Sequence, residues 1–390
     1  MSGIITVTAP VNIAVIKYWG KRDEDLILPL NDSVSATLDT NVMCAKTSVC
    51  ARPDINENEI WLNKLKEPFN NKRLQNCLGE IKGIARAQKS VDEEFLSWNV
   101  RIYSENNFPT AAGLASSAAG YACLVTALAK LYKVKTDISA LARLGSGSAC
   151  RSVYGGFVRW HAGVKPDGSD SVATQIVNSL HWPEMRVLVL VVADTKKHTS
   201  SSKGMQCSVA TSELLKYRVQ NSVPKRVNDI CKAIKDKNFA TFAEITMKDS
   251  NQFHAVCLDT YPPCVYMRDV SHKIVEVMHK YNEICGQTKV AYTFDAGPNA
   301  CLYLLEKDVP EVIALIKKVF PTTKQDFVKG LPESLEGFPE IPDFDFLNLF
   351  PIQPFNKDLL KYLIYTKVGD GPQEIADGSH LLNVNGNPIN

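Results

Sequence analysis

The sequence predicts an α+β protein of two domains. Its 390 residues are enough to bury two separate hydrophobic cores. Short apolar runs with the two-residue period of strands are mixed with longer runs at helical spacing, in the irregular order typical of α+β layer folds. The dipeptide Trp182-Pro183 precedes a long apolar, β-branched run. We therefore place the first domain at residues 1–185 and the second at residues 186–390.

Composition narrows the class of protein. The net charge is only +2 and the charges are mixed along the chain, so neither nucleic acid nor a membrane surface is an expected partner. No apolar run approaches the roughly 20 residues of a membrane span, and the beginning of the chain lacks the pattern of a signal peptide. The eleven cysteines are scattered singly without a Cys-x-x-Cys pair, which favours a reducing compartment over a zinc site or a disulfide framework. Because a Ser-Lys-Leu-type ending is also lacking, we expect a cytoplasmic protein.

The first domain begins with strand patterns. Residues 4–16 form one strand pattern with a break at Ala9-Pro10, because proline cannot donate to a strand ladder. Residues 34–38 alternate as a further strand, and residues 60–62 offer another short one. Apolar residues at helical spacing then predict a helix over 73–85.

The polar stretch Lys17–Asp23 places two aromatic side chains beside three cations. Lysine and arginine supply charge and hydrogen-bond donors, and the aromatics can fix them in position, which is the composition of an anion site. An ordinary solvated loop with Trp19 anchored in the core fits the same pattern. These residues alone leave both interpretations open.

The most informative stretch is Pro109–Gly120, a loop of very small side chains. It follows an alternating strand pattern at 100–103 and precedes an apolar, buried helix predicted over 121–132. The first turn of a helix has unpaired N–H groups and a positive dipole end, and small side chains let a polyphosphate approach them closely. Ser116 and Ser117 add hydroxyls there. The stretch therefore predicts a phosphate-binding loop.

Two well-known phosphate loops do not fit this stretch. A Walker loop ends in Gly-Lys-Ser/Thr, but no lysine lies between Pro109 and Ala129. A dinucleotide loop needs three spaced glycines, but only Gly113 precedes the helix. A serine N-cap on a well-packed alanine helix remains the alternative without a ligand.

A second loop of similar composition follows. A short helix capped by Thr136 or Asp137 leads to Gly145–Arg151, where two glycines and two serines precede an arginine, and a strand is predicted at Phe157–Trp160. Small residues and a cation again favour anion binding. The alternative is a flexible connection from helix to strand with Arg151 in solvent.

The second domain mixes strands and helices. Val187–Ala193 is apolar throughout and β-branched, which predicts a central strand. Further patterns predict helices over 205–219, 227–234 and 312–319, hairpin strands over 290–294 and 301–305, and an irregular surface segment over 330–354. The hairpin turn is Asp295–Asn299, and its Asp, Gly, Pro and Asn are common turn residues, so a pure turn role is favoured on these residues alone.

Together these segments resemble a known family. The loop Pro109–Ala119 is similar to the phosphate loop of the GHMP superfamily, which includes galactokinase, homoserine kinase and mevalonate kinase. The wider set resembles, within that superfamily, the diphosphomevalonate decarboxylase family. The matching segments follow the family's order and span residues 9–299, so the resemblance extends over nearly the whole chain: Ala9–Arg22, Pro109–Ala119, Gly145–Arg151, Asp249–Ala255 and Tyr292–Asn299.

The resemblance implies a ribosomal-S5-like N-terminal domain and a ferredoxin-like C-terminal domain around one cleft, ATP with Mg²⁺, and a homodimer. It also implies the family's reaction in the mevalonate pathway of isoprenoid and sterol biosynthesis. In that reaction the C3 hydroxyl of (R)-5-diphosphomevalonate is phosphorylated. Phosphate and CO₂ are then lost, giving isopentenyl diphosphate.

By the same resemblance, Asp295 faces the C3 hydroxyl, Lys17 lies beside it and Arg151 takes the substrate carboxylate. The ATP phosphates are expected at Ala111, Gly113, Ser116 and Ser117. The expected substrate-binding residues are Asn12, Tyr18, Trp19, Gly20, Lys21, Arg73, Ser146, Gly147, Ser148, Ala149, Cys150 and Ser202. Nothing in the setting of His198 or His254 supports a role as general base.

The sequence departs from its relatives at a few points. The phosphate loop has alanines at 111, 112 and 115 where the kinases carry more glycine, and Ser202 stands where relatives often place threonine. Two other functions stay open. One is a kinase of the same superfamily that stops at a phosphorylated product, and the other is a catalytically inactive relative that serves as a binding module.

Overall fold

The computed structural model describes residues 3–108, 116–193, 199–332 and 350–389. Most of the phosphate loop, with Ala111 and Gly113, lies outside these ranges, as do His198 and most of the segment 330–354.

Strands and helices are mixed along the chain, as predicted. Within the described residues the strands are β1 (Ile5–Pro10), β2 (Asn12–Ile16), β3 (Lys21–Asp23), β4 (Leu28–Pro29), β5 (Ser33–Thr37), β6 (Cys44–Arg52), β7 (Glu59–Leu62), β8 (Leu65–Glu67), β9 (Asn99–Asn106), β10 (Phe157–Trp160), β11 (Ala173–Val177), β12 (Met185–Val191), β13 (Val290–Phe294), β14 (Ala300–Leu305), β15 (Val328–Lys329), β16 (Tyr362–Lys367) and β17 (Gln373–Glu374). The helices are α1 (Lys72–Gln88), α2 (Glu93–Ser97), α3 (Ser116–Leu131), α4 (Ser139–Gly145), α5 (Ala149–Ser152), α6 (Ser201–Thr211), α7 (Glu213–Tyr217), α8 (Val223–Lys235), α9 (Phe239–Asp259), α10 (Asp269–Ile284) and α11 (Val309–Val319). None of these helices is long and apolar enough to cross a membrane.

The N-terminal half is built around two main sheets and the helix that follows the phosphate loop. One main sheet has the order β17-β1-β6-β9-β7-β8, the other has the order β11-β10-β5-β2, and β3 and β4 form a separate two-stranded sheet. Helix α3 packs on β1 and β6, and it is apolar over most of its circumference, so its first turn is held against the sheet. This packing fixes Ser116 and Ser117 at the beginning of the helix.

The C-terminal half is organised around β12. This strand is buried along its whole length and lies in the middle of a sheet with the order β13-β14-β12-β16-β15. Strands β13 and β14 form the predicted antiparallel hairpin, with Phe294 opposite Ala300. Helix α9 packs on β13, which holds the end of that strand and the turn that follows it.

The two halves meet along β2. Helix α9 of the C-terminal half packs on this strand, and the Tyr303 hydroxyl donates to the Ile13 carbonyl oxygen over 2.9 Å. The last strand, β17, returns to the N-terminal sheet and pairs antiparallel with β1. These contacts bring the end of β2 close to the hairpin turn at 295–299.

Most of the predicted elements are confirmed, one helix is corrected, and the cap predicted for α4 is wrong, because its N-cap is Ile138 and not Thr136 or Asp137. The break after Ala9-Pro10 separates β1 from β2, and the strands predicted at 157–160 and 290–294 have the predicted bounds. The helix predicted over 205–219 is not continuous. It ends at Thr211 because Ser212 leaves the helical conformation and caps α7, its Oγ accepting from the Leu215 N–H over 3.1 Å. A π-helical turn, Arg218–Ser222, follows α7.

Candidate active site

A cleft of about 370 Å³ lies where the two halves meet. Residues of all three stretches that favour anion binding in the N-terminal half contribute to its wall, as do the hairpin turn and the serine-rich beginning of α6. The predicted residues that line it are Asn12, Lys17, Tyr18, Trp19, Lys21, Arg73, Ser116, Ser117, Ser146, Gly147, Ser148, Arg151, Ser202 and Asp295.

Lys17 and Asp295 form an ion pair in this cleft. The Lys17 Nζ atom lies 2.6 Å from Asp295 Oδ1. The lysine side chain is 3% exposed and the aspartate side chain 31% exposed, so the carboxylate faces the open part of the cleft with the ammonium behind it. Asp295 directly follows β13, and the Gly297 N–H donates to its carbonyl oxygen over 2.7 Å. The tight turn therefore directs the carboxylate toward the cleft.

The main chain of Lys17 is held by a buried ion pair of the C-terminal half. Its N–H donates to Asp249 Oδ2 over 2.8 Å, and its carbonyl oxygen accepts from Arg218 Nη2 and from Asn31 Nδ2, each over 3.1 Å. The side chains of Asp249 and Arg218 are fully buried and paired with each other at 2.8 Å. Burial alone would raise the pKa of Asp249, but the Arg218 guanidinium, together with the Lys17 N–H and the Arg226 guanidinium, holds the pKa below its usual value.

This cluster was not predicted from the sequence. Asp249 was noted only as part of a family segment, and the pattern around Arg218 predicted only a helix over 205–219. The fixed main chain of Lys17 sets the direction in which its ammonium points. Asp249 and Arg218 are therefore positioning residues for the Lys17–Asp295 pair.

Arg151 lies in the short helix α5 and is buried, so the alternative of a side chain in solvent is wrong. Its guanidinium donates to Ser33 Oγ over 2.5 Å, to Ser35 Oγ over 2.9 Å, and to Asn12 Oδ1 from both Nε and Nη2 over 3.2 and 3.1 Å. All of these acceptors are neutral, and within the described residues no carboxylate is hydrogen-bonded to Arg151. Burial lowers the pKa of Arg151. The Asp295 carboxylate opposes this effect without being bonded to Arg151. A buried cation without a directly bonded anion is costly, so this guanidinium is suited to an anionic ligand.

Ser33 and Ser35 were missed at the sequence level. They occupy alternate positions of β5, opposite the apolar residues that predicted the strand, and both are fully buried. Buried hydroxyls on one face of a strand need hydrogen-bond partners. The alternation of serine with apolar residues at 33–37 was the available signal.

A third group of polar side chains consists of Tyr18, Lys21 and Arg73. The Tyr18 ring packs edge-on against Trp160, with the ring centroids 4.7 Å apart, and its buried hydroxyl has no hydrogen-bond partner among the described residues. Burial raises the pKa of Tyr18, so the hydroxyl stays protonated and can act as a donor. Lys21 Nζ lies 2.5 Å from Glu24 Oε2. Arg73 lies in the first turn of α1 and faces the cleft.

Trp19 shows that the stretch Lys17–Asp23 is both anchored in the core and part of the cleft. It is buried in a small aromatic cluster with Phe253 and Tyr266, and its Nε1 donates to Ser208 Oγ over 2.8 Å. The side chains on either side of it line the cleft. The stretch is thus anchored in the core by its tryptophan while it presents cations to the cavity.

Three predicted residues of the N-terminal half do not line the cleft. Gly20 has a positive φ of 88° and a Cβ there would lie 2.7 Å from Leu30, so a glycine is needed for the backbone. Ala149 and Cys150 are buried in α5, and burial raises the pKa of the Cys150 thiol to about 12. Any contact of these residues with substrate stays a prediction, as does the role of Ala111 and Gly113.

His254 is buried behind the Lys17–Asp295 pair. Burial, with a smaller contribution from the Lys17 ammonium, lowers the pKa of His254 to about 3. The imidazole is therefore neutral, and it does not line the cleft.

Within the described part of the chain, no group of three or more His, Cys, Asp and Glu residues is arranged to hold a metal ion. Mg²⁺ in nucleotide sites is commonly held by one or two carboxylates together with phosphate oxygens and water. Asp295 and the hydroxyls of Ser116 and Ser117 are oxygen ligands of this kind on the wall of the cleft.

Comparison with known proteins identifies the family. Residues 9–173 match the family model described as the diphosphomevalonate decarboxylase-like N-terminal domain. Residues 187–375 match the mevalonate 5-diphosphate decarboxylase C-terminal domain. The chain belongs to the diphosphomevalonate decarboxylase family. The resemblance stated from the sequence is therefore confirmed.

Individual members of the diphosphomevalonate decarboxylase family match over nearly their whole length. The protein from Bos taurus is 50% identical over 393 residues, which cover 99% of this chain and 97% of that protein. The protein from Homo sapiens is 48% identical, covering 98% and 97%.

Solved structures of diphosphomevalonate decarboxylases confirm the fold. Mevalonate diphosphate decarboxylase from Trypanosoma brucei has a TM-score of 0.91 and 41% identity, covering 98% of this chain and 100% of that one. MDDEF in complex with MVAPP, AMPPCP and magnesium has a TM-score of 0.72 and 29% identity, covering 95% and 98%. The predicted two-domain α+β fold of the GHMP kinase type is thus confirmed.

Proposed function

We propose that this protein catalyses the ATP-dependent decarboxylation of (R)-5-diphosphomevalonate to isopentenyl diphosphate, ADP, phosphate and CO₂. Membership of the diphosphomevalonate decarboxylase family supports the reaction. The observation that carries it at the residue level is the buried Arg151 guanidinium, which neutral acceptors hold at the wall of the cleft. It is suited to a substrate carboxylate because the planar guanidinium can bind two carboxylate oxygens at once.

The first step places the C3 hydroxyl against Asp295. The carboxylate accepts a hydrogen bond from this hydroxyl, orients its oxygen toward the terminal phosphate of ATP and takes up its proton as the new O–P bond forms. Lys17 stabilises the carboxylate from behind and contributes positive charge near the transferred phosphoryl group. Phosphoryl transfer depends chiefly on such positioning and electrostatic stabilisation.

The second step uses the phosphate at C3 as a leaving group. The C–C bond to the carboxylate breaks and its electron pair forms the double bond, while the C3–O bond breaks and its own electron pair leaves with the phosphate oxygen. Arg151 aligns the carboxylate for this step. Arg151 must bind the transition state more strongly than it binds the intact carboxylate, because equal stabilisation of the two would not raise the rate.

The diphosphate of the substrate is assigned to Tyr18, Lys21 and Arg73. These side chains provide one hydroxyl donor and two cations on the wall of one cleft. Ser146, Ser148 and Ser202 line the same cavity and can donate hydroxyls to the substrate. The complex of MDDEF with MVAPP supports a site for this kind of ligand in the family.

ATP is assigned to the beginning of α3, with Ser116, Ser117 and the small residues Ala111 and Gly113 around its phosphates. When bound, Mg²⁺ neutralises charge on the nucleotide phosphates. Asp295 and the hydroxyls of Ser116 and Ser117 can hold it. The complex of MDDEF with AMPPCP and magnesium supports the use of both in the family. The homodimer that the resemblance implies and the cytoplasmic location expected from the sequence both stay predictions.

The deciding experiment measures ADP and CO₂ together, with synthetic (R)-5-diphosphomevalonate and ATP. The proposed function requires one CO₂ for each ADP. A kinase that stops at the phosphorylated product would release ADP without CO₂. An inactive binding module would release neither, although it could still bind the ligands.

A further inference from the structure

The donors at the diphosphate end of the cleft are not equivalent. The Tyr18 hydroxyl is buried and unpaired, and in the described part of the chain the Arg73 side chain has no hydrogen-bonding or ionic partner. Lys21 differs, because its Nζ atom is paired with Glu24 at 2.5 Å. One of the two cations expected to bind the diphosphate is therefore already neutralised by a carboxylate of the chain itself.

The position of Glu24 is set by a well-fixed turn. Glu24 follows β3, and the Leu26 N–H donates to Asp23 Oδ1 over 2.7 Å within this turn. The buried Arg143 donates from Nη1 to the Leu26 carbonyl oxygen over 2.6 Å and ties the turn to α4. The main chain thus holds the Glu24 carboxylate beside Lys21.

The two partners differ in their freedom to move. The Lys21 side chain is 2% exposed, whereas the Glu24 side chain is 45% exposed. A buried ammonium cannot leave its place without loss of packing, but a half-exposed carboxylate can rotate into solvent at little cost. When an anion binds to Lys21, Glu24 is therefore the group that is displaced.

The charge of Glu24 also reaches the other donors. The pKa of Tyr18 is raised mainly by burial and next by the negative charge of Glu24, whereas the positive charge of Arg73 lowers it. Glu24 and Arg73 therefore both act at the Tyr18 hydroxyl. A diphosphate that binds beside this hydroxyl is repelled by Glu24 and also competes with it for Lys21.

From this arrangement we propose that Glu24 is an internal counter-ion that competes with the substrate diphosphate for Lys21 and lowers the affinity of the cleft for it. The inference rests on the proposed function and deepens it. In the free protein Glu24 satisfies the charge of Lys21. In the complex the diphosphate replaces it, and Glu24 turns to solvent. Glu24 thereby sets the affinity for the diphosphate without taking part in the chemical steps.

The experiment is a calorimetric titration of the full-length protein with inorganic pyrophosphate, which carries the diphosphate group alone. Glu24→Gln keeps the size of the side chain and removes its charge. We expect the Kd for pyrophosphate to fall about two- to fivefold, the range for the loss of a partly exposed ion pair. With diphosphomevalonate as substrate, KM falls by a similar factor while kcat is unchanged.

Two control variants separate the contact from net charge. Asp25→Asn removes a charge from the same turn, where Asp25 is paired at the surface with Lys72. Glu283→Gln removes a glutamate that is paired with a lysine three residues away, as Glu24 is, but on α10. Both should leave the pyrophosphate Kd within error of the parent. In the Lys21→Met background, Glu24→Gln should lose most of its effect, because the contact no longer exists.

Unchanged or weaker pyrophosphate binding by Glu24→Gln would overturn the proposal, as would equal tightening by Asp25→Asn. Failure of pyrophosphate to bind either the parent or Glu24→Gln would also overturn it, since competition requires a diphosphate site at Lys21. Failure of the proposed function is distinguishable. It would appear in the parent as missing CO₂ release, whatever the titrations of the Glu24 variant show.

Discussion

The Nζ atom of Lys17 lies 2.6 Å from Oδ1 of Asp295, although 278 positions separate these residues and they belong to different halves of the chain. Lys17 follows β2 and Asp295 follows β13, so the pair exists only when the halves are packed together. Turn chemistry explains why an aspartate is tolerated at 295. It does not explain why the carboxylate meets a nearly buried lysine at the wall of a cleft.

The first prediction concerns Asp295→Asn. The variant keeps the shape of the side chain and one hydrogen-bonding oxygen but loses its charge and basicity. We expect binding of ATP and substrate to persist and kcat to fall about 10²- to 10⁴-fold, as for the loss of a positioned acid or base. Steady-state kinetics with diphosphomevalonate measures the fall in kcat, and titration with ATP and with diphosphomevalonate shows whether binding persists.

A turn aspartate elsewhere provides the control. Asp167 lies in an exposed turn, where its carboxylate accepts from the Ser169 N–H over 3.0 Å. Asp167→Asn should leave kcat unchanged. If the two variants behave alike, with turnover within a few-fold of the parent, Asp295 is only a turn residue.

The second prediction concerns Asp249→Asn. This change leaves Arg218 buried without its anionic partner, and breaking a buried pair in this way costs about 3–5 kcal/mol of the free energy of unfolding. The Lys17 main chain also loses a charged acceptor, so kcat should fall while KM changes little. Urea unfolding and steady-state kinetics measure the two effects.

Asp259→Asn is the control, because Asp259 lies on the same helix but is exposed and accepts from Ser212 and Leu214. Asp259→Asn should lower the free energy of unfolding less than Asp249→Asn does, and it should leave kcat unchanged.

The pH dependence of stability gives a further check. Because the pKa of Asp249 in the folded protein is held below its ordinary value of 3.8, this carboxylate stabilises the fold above about pH 4 and the stabilisation is lost as the pH falls below that. The difference between parent and Asp249→Asn should therefore be constant at neutral pH and shrink in acid.

The parts of the site that could be predicted from the sequence are local. In Lys17–Asp23 and in the turn at 295–299 the residues of the site are close together in the sequence. A pattern of cations and aromatics is therefore visible in the first stretch, and a pattern of turn residues in the second. The Arg218–Asp249 pair is different, because each residue lies on a separate helix and neither pattern distinguishes a buried ion pair from a solvated face. Ser33 and Ser35 were predictable in part. Their strand was predicted, but the role of its serines is seen only in the structure, where both accept hydrogen bonds from Arg151.

The third prediction concerns His254, whose pKa in the folded protein is lowered from 6.5 to about 3 by burial. The unfolded chain takes up a proton on this histidine at higher pH than the folded protein does. Stability is therefore lost as the pH falls below about 6.5, by up to about 1.4 kcal/mol per pH unit for a single group. His254→Phe should reduce this slope between pH 6.5 and 4, as measured by unfolding at a series of pH values. An unchanged slope would show that His254 is protonated in the fold.

The fourth prediction concerns Arg151 and separates a decarboxylase from a kinase. If the guanidinium binds the substrate carboxylate, Arg151→Gln weakens substrate binding by roughly 1.5–3 kcal/mol, the value of charge-assisted hydrogen bonds. ATP affinity stays nearly unchanged. Turnover also falls, because a loosely held carboxylate no longer aligns its breaking bond with the departing phosphate.

The test uses two ligands that differ only at the carboxylate. Parent and Arg151→Gln are titrated with diphosphomevalonate and with an analogue whose carboxylate is replaced by a neutral amide. The parent should bind the carboxylate form much more tightly than the amide. Asn12, Ser33 and Ser35 give Arg151 only neutral acceptors, and of the two ligands only the carboxylate form supplies an anion to it. The variant should distinguish them weakly, because the glutamine amide can hydrogen-bond to either. Equal discrimination by both proteins would remove Arg151 from the substrate site, and with it the main residue-level argument for decarboxylation.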